Sequence, residues 1–170
     1  LVVAVKFIDM TYIKDLGKHI GAEVELRGWN AQKRDSKGLV FMTFRDGTGF
    51  CQAVFDINNI GEETFDKIKR LPQESALWLK GTVKSDERQI GGFEIAVSAT
   101  GVIAEADEYP ITPKEHGVDF LMDNRHLWLR SRRQWAIMRV RNRIIFAIHE
   151  FFQQRGFVQM DAPIFTGNAC

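Results

Sequence analysis

The stretch Lys37–Asp56, KGLVFMTFRDGTGFCQAVFD, constrains the fold more than any other part of the chain. Two runs rich in β-branched and aromatic residues flank Asp46-Gly47-Thr48-Gly49, a composition suited to a tight hairpin turn. With Gly47-Thr48 as a two-residue loop, Asp46 faces Gly49. Phe41, Thr43 and Arg45 then lie across from Val54, Gln52 and Phe50 on one face. The other face carries Val40, Met42, Phe44, Cys51, Ala53 and Phe55, which are all apolar and therefore belong inside. The first face looks outward and sets an aromatic, Phe41, near an amide, Gln52, and a cation, Arg45. A loop one residue longer would turn Phe41 inward, and a helix or second domain laid over an outward Phe41 would reduce it to ordinary packing.

The neighbouring segments extend this hairpin into a sheet. Glu23–Arg34, EVELRGWNAQKR, alternates apolar and polar residues up to a bend expected at Gly28 and reads as a strand. GEETFDKIKRL, residues 61–71, has acids early and bases late, with Phe65 and Ile68 three apart, and reads as a short helix ended by Pro72. ESALWLKGTVKS and GGFEIAVSATGVIA read as two more strands around the loop Asp86–Gly92. Three strands, a helix and two strands in about 85 residues is the order of a five-stranded OB barrel, an all-β fold.

Beyond residue 104 the character changes. AEADEYPITPKEHG contains Pro110 and Pro113 and reads as a hinge. Residues 105–123 carry one basic and six acidic side chains, whereas residues 124–170 carry eight basic and two acidic. The expected organisation is a barrel over 1–104, a linker over 105–123, and the start of a second domain over 124–170. In that last part Ile137, Val140, Ile144, Ile148 and Phe151 recur at spacings of 3, 4, 4 and 3, a helical stripe belonging to a core or a subunit interface. The helix is expected to end at Gly156, followed by a buried strand Phe157–Phe165 closed by Pro163. Leu1–Val5 reads as a strand or as the cut edge of a longer chain, not as a signal peptide.

Composition excludes several functions. At 45% hydrophobic and 26% charged residues, with no apolar run of the roughly 20 residues that span a bilayer, membrane insertion is not expected. Cys51 and Cys170 have neither disulfide nor metal-ligand spacing, which fits a reducing, cytosolic setting. The four histidines are scattered singly, so a zinc site is not expected. There is no phosphate-cradling glycine loop, nucleophile triad or paired carboxylate, so these residues alone give no argument for catalysis. Binding is better supported. Arg27, Lys33, Arg34, Lys37 and Arg45 face only Asp35 across residues 27–45, a local excess of +4 beside Phe41 and Gln52. Cations neutralise phosphates, an aromatic ring stacks a base, and an amide reads a base edge, which together suit single-stranded nucleic acid. Seven arginines within residues 125–143 are either a solvated helix face or a second phosphate contact.

GWNAQKRDSKGLVFMTFRDGTGFCQAVF resembles the OB barrel of class II aminoacyl-tRNA synthetases of the aspartate, asparagine and lysine group. YPITPKEHGVDFLMDNRHLWLR resembles the hinge of the asparaginyl enzymes, and RGFVQMDAPIF their first class-defining motif of a long helix and a strand ending in proline. The aspartyl enzymes more often have Asp where this chain has Trp128. The resemblance implies that Phe41 stacks on the middle anticodon base and Gln52 hydrogen-bonds its edge, with Arg45 alongside. It implies that Arg27, Lys33 and Arg34 steady the anticodon-loop backbone, and that Arg155, Gly156, Phe157 and Pro163 belong to a homodimer motif. It further implies a cytoplasmic enzyme that joins asparagine to tRNA(Asn) through an adenylate, using ATP and Mg2+ held by segments beyond Cys170. On that reading the chain is a fragment without a complete active site. The alternatives are an aspartyl enzyme of the same group and a standalone OB-fold binder of single-stranded nucleic acid.

Overall fold

The structure, a computed structural model, describes residues 11–112, 114–165 and 167. The strand expected at Leu1–Val5, and Pro113 and Cys170, lie outside the described residues. The chain divides into two compact units, Leu1–Tyr109 and Pro110–Cys170.

The first unit is a closed five-stranded barrel. Its strands are β1 (Glu23–Ser36), β2 (Leu39–Arg45), β3 (Phe50–Asp56), β4 (Ala76–Ser85) and β5 (Phe93–Ala104), in the order β1-β2-β3-β5-β4. The β2–β3 ladder pairs Phe41 with Val54, Thr43 with Gln52 and Arg45 with Phe50, the register of a two-residue loop. Val40, Met42, Phe44, Cys51, Ala53 and Phe55 are fully buried, while Phe41 is half-buried on the outer face. Burial, with the Asp46 carboxylate adding to it, pushes the Cys51 thiol up to about 12, so Cys51 is a core side chain and no nucleophile. The turn rests on Asp46 as much as on Gly47. One carboxylate oxygen accepts from the N–H groups of Thr48 at 2.8 Å and Gly49 at 3.2 Å, and the other from Ile13 N–H at 2.7 Å. That last bond ties down a 3₁₀ turn, Ile13–Lys18, whose Ile13 and Leu16 join the core. The sequence reading held no element there.

Two further local features differ from expectation. Gly28 marks a close approach within a continuous strand: a Cβ there would lie 2.1 Å from the Arg45 carbonyl oxygen and 2.9 Å from the Phe44 ring. The irregularity in β1 comes later, as a register shift between Asn30 and Gln32 that leaves Ala31 as the extra residue. The helix expected after the hairpin is present as α2 (Glu62–Arg70), preceded by a single turn, α1 (Ile57–Ile60), that Asp56 caps through Asn58 N–H at 2.9 Å. Phe65 and Ile68 of α2 are buried in the barrel core.

The second unit contains α3 (Val118–Asp123), α4 (Arg125–Trp128) and α5 (Arg132–Gln153). Helix α5 carries the predicted stripe, but Ile137, Val140, Ile144, Ile148 and Phe151 are exposed. Its end follows from Gly156 at φ 81: Phe157 N–H donates to the Phe152 carbonyl at 3.2 Å, and the two rings meet edge-on at 5.4 Å. This is a glycine-terminated helix with its customary hydrophobic clasp. The buried strand expected over Phe157–Phe165 is not formed. Residues 157–165 join no ladder, and Val158, Met160, Ile164 and Phe165 are 83–94% exposed. A strand exists through its hydrogen-bonded neighbour, and the described residues of this unit supply none. No described helix is long and apolar enough to cross a membrane.

Candidate nucleic-acid interface

The bulge at Ala31 decides which β1 side chains share the outer face with Phe41. Without it, Arg34 would alternate inward. With it, Gln32 pairs with Thr43 and Arg34 with Phe41. Because β3 also pairs with β5 in parallel, two rows cross the sheet: Gln32, Thr43, Gln52 and Glu94, and beside it Arg34, Phe41, Val54 and Ala96. The first row is polar throughout. The second brings a guanidinium to 4.8 Å from the centroid of the Phe41 ring.

The β1, β2 and Gln52 members of these rows lie in a groove of about 310 Å³ lined by Gln32, Lys33, Arg34, Phe41, Thr43, Gln52, Gln89 and Ile90. Gln52 is 8% exposed, and its Nε2 donates to a Glu94 carboxylate oxygen at 3.0 Å. Lys33 also lines the groove, but its ammonium donates to the carbonyls of Ile68, at 3.0 Å, and Lys69 in the last turn of α2. Burial lowers its pKa, with Asp35 opposing. The cation thus satisfies a helix C-terminus.

The remaining expected contacts lie elsewhere. Arg27 is on the β1–β4 side, in register with Trp78, and forms an ion pair with Glu25 at 3.1 Å. Arg45 has its guanidinium 5.1 Å from the Trp29 ring centroid and donates to Glu74, a largely buried residue with left-handed backbone at φ 69. Neither arginine lines the groove. Conversely, Gln32, Glu94, Gln89 and Ile90 do belong to this neighbourhood and had no local signal. Gln32 depends on the bulge, Glu94 on the parallel β3–β5 closure, and the other two on the path of the β4–β5 loop. Arg155, Gly156, Phe157 and Pro163 lie in the second unit, where Arg155 holds the Phe151 carbonyl at 3.1 Å and caps α5.

The β4–β5 loop is braced by Asp86, which accepts from the Arg88 guanidinium at 2.8 and 2.9 Å and from Arg88 N–H at 3.1 Å. The Arg88 side chain, foremost, brings the Asp86 carboxyl down to about 2. A folded-state pKa below the ordinary 3.8 means that this brace is complete above pH 4 and is lost as pH falls toward 2. Amide exchange at Gln89 and Gly92 should accelerate across that interval relative to the barrel strands, and an Asp86→Asn variant should show the faster exchange already at neutral pH. Equal protection at pH 2 and pH 5 would remove Asp86 as the brace.

Residues 24–103 match the OB-fold nucleic acid binding domain family, and residues 117–170 match the class II tRNA synthetases of the D, K and N group. The chain is thus similar to class II tRNA synthetases of this group over its last third and to the OB-fold nucleic acid binding domain before it. An asparagine–tRNA ligase of Symbiobacterium thermophilum is 51% identical over 91% of this chain and 35% of its own length. One from Thermus thermophilus is 50% identical over 93% of this chain and 36% of its own. The crystal structure of asparaginyl-tRNA synthetase from Pyrococcus horikoshii superposes with a TM-score of 0.84 at 36% identity, covering 92% of this chain and 38% of that one. A second structure of the Pyrococcus synthetase is complexed with asparaginyl-adenylate. The chain therefore spans a little over a third of the synthetases it matches. The barrel coincides with the segment that matches the OB-fold nucleic acid binding domain, and α3 to α5 fall in the segment that matches the class II family.

Proposed function

We propose that the barrel grips the anticodon loop of tRNA(Asn) and that the chain serves an asparagine–tRNA ligase, which activates asparagine with ATP and Mg2+ and transfers it to that tRNA. The observation that carries this reading is the single groove holding Phe41, Arg34 and Gln52, in a chain half identical to asparagine–tRNA ligases over more than nine-tenths of its length. Phe41 gives the middle anticodon base a stacking surface, Gln52 reads its edge, and Arg34, with a free exposed flank, meets the adjoining phosphate. Codons for aspartate, asparagine and lysine all have A in the middle, so the base to be read is uracil. Arg27 contacts the RNA backbone further along the sheet. Lys33 and Arg45 act by holding α2 and the Trp29–Glu74 corner, which shape the site.

The enzyme acts in the cytoplasm as a homodimer, with the apolar stripe of α5 and the segment from Arg155 to Pro163 packing against the second subunit. Among the described residues no cluster of three or more His, Cys, Asp or Glu could hold a metal. The test is a fluorescence-anisotropy titration of the chain with labelled anticodon stem-loops. Binding that favours U over the other three bases at the middle position, and weakens as salt rises, supports the reading. Equal affinity for all four bases overturns it.

A further inference from the structure

We infer that Glu94 is a positioning residue for specificity: it holds the Gln52 amide one way round, and this makes the groove choose uracil over cytosine at the base stacked on Phe41. The inference rests on the anticodon reading of the groove. An anionic side chain beside a site for a polyanion weakens attraction, so its placement there needs another reason. Glu94 is the register partner of Gln52 across the parallel β3–β5 pair, and its carboxylate accepts from Gln52 Nε2 at 3.0 Å. A carboxylate only accepts hydrogen bonds, whereas an amide offers an acceptor at one end and two donor hydrogens at the other. Glu94 therefore selects the orientation with the NH2 group toward β5, leaving Oε1 and the second Nε2 hydrogen for the groove. Gln52 is 8% exposed, so a reversed amide would set a carbonyl oxygen against the carboxylate with little water between them.

The consequence is chemical selection at one ring atom. Uracil carries N3–H flanked by two carbonyl oxygens, so Oε1 accepts from N3–H while Nε2 donates to a neighbouring oxygen. Cytosine has a lone pair at N3. With the ring's place set by stacking on Phe41, Oε1 then meets that lone pair, and the pairing is lost.

Glu94→Gln removes the one-way acceptor at nearly constant shape, so both orientations of Gln52 become available. Anticodon stem-loops that differ only in U or C at the middle base are titrated at fixed salt. The unaltered chain should prefer U by about tenfold or more, and the variant by no more than about threefold. Affinity for the U stem-loop should not drop, since a negative charge has also been removed from beside the groove. Glu94→Ala, which deletes the acceptor without adding a donor, is held to the same outcome should the first variant fold poorly. In a Gln52→Ala background, Glu94→Gln should leave the U-to-C ratio where it stands, a result that a general structural role would not give. A variant that keeps the full preference, or loses affinity equally for both stem-loops, overturns the inference. An unaltered chain with no preference between U and C would instead sink the anticodon reading itself.

Discussion

Replacing Phe41 by alanine should weaken binding of the anticodon stem-loop by about 1–3 kcal/mol, a roughly 5- to 150-fold rise in Kd. The ring is half-buried on the outer face, flanked by Val54 on one ladder and Arg34 on the other. What remains exposed is a planar apolar surface beside a guanidinium and an amide, and alanine offers no such surface. Phe41→Leu, which keeps most of the volume without the π face, should lose most of the same affinity. Because the ring contributes little to the interior, the thermal midpoint of either variant should move only slightly. Anisotropy and thermal unfolding on the same samples check both halves. Unchanged affinity in a folded Phe41→Ala protein would refute the stacking role.

Three residues along the same strand, Phe44→Ala should do the reverse. Phe44 is fully buried, and its ring reaches to within 2.9 Å of where a Cβ on Gly28 would lie, filling space that the glycine leaves open. Truncating a buried phenylalanine costs about 3–5 kcal/mol, from lost transfer energy and from the cavity that remains. Against a total stability of about 5–15 kcal/mol for an ordinary domain, this consumes a large share. The urea midpoint should fall steeply, with anticodon affinity lost only to the extent that the protein unfolds. A loss below about 1 kcal/mol would mean that Phe44 is not the interior residue its face requires. Together the two variants test the face assignment of β2, one aromatic serving binding and the other stability.

How much of this was legible beforehand depends on the distance along the chain over which each feature is determined. The hairpin was readable because its register follows from turn length and from a side-chain period of two, both local. Helix α5 and its end at Gly156 were readable for the same reason, through the 3.6-residue stripe and a residue that tolerates positive φ. The strand expected after Gly156 is not formed among the described residues. Its sequence has strand character, but a ladder needs a second edge, which no segment supplies by itself.

The sequence by itself determined that Phe41 lies on the strand face opposite Val40, Met42 and Phe44, and Gln52 on the face opposite Cys51 and Ala53, because adjacent residues of a strand alternate; the β2–β3 register decided that Phe41 and Gln52 share the outer face. Only the tertiary structure decided which charges join them. The bulge at Ala31 turned Arg34 toward the ring, closure of β3 on β5 set Glu94 against Gln52, α2 drew Lys33 to its carbonyls, and Glu74 drew Arg45 away. Each of these joins segments distant in sequence, and such pairs become neighbours only when barrel closure brings their strands and helix together.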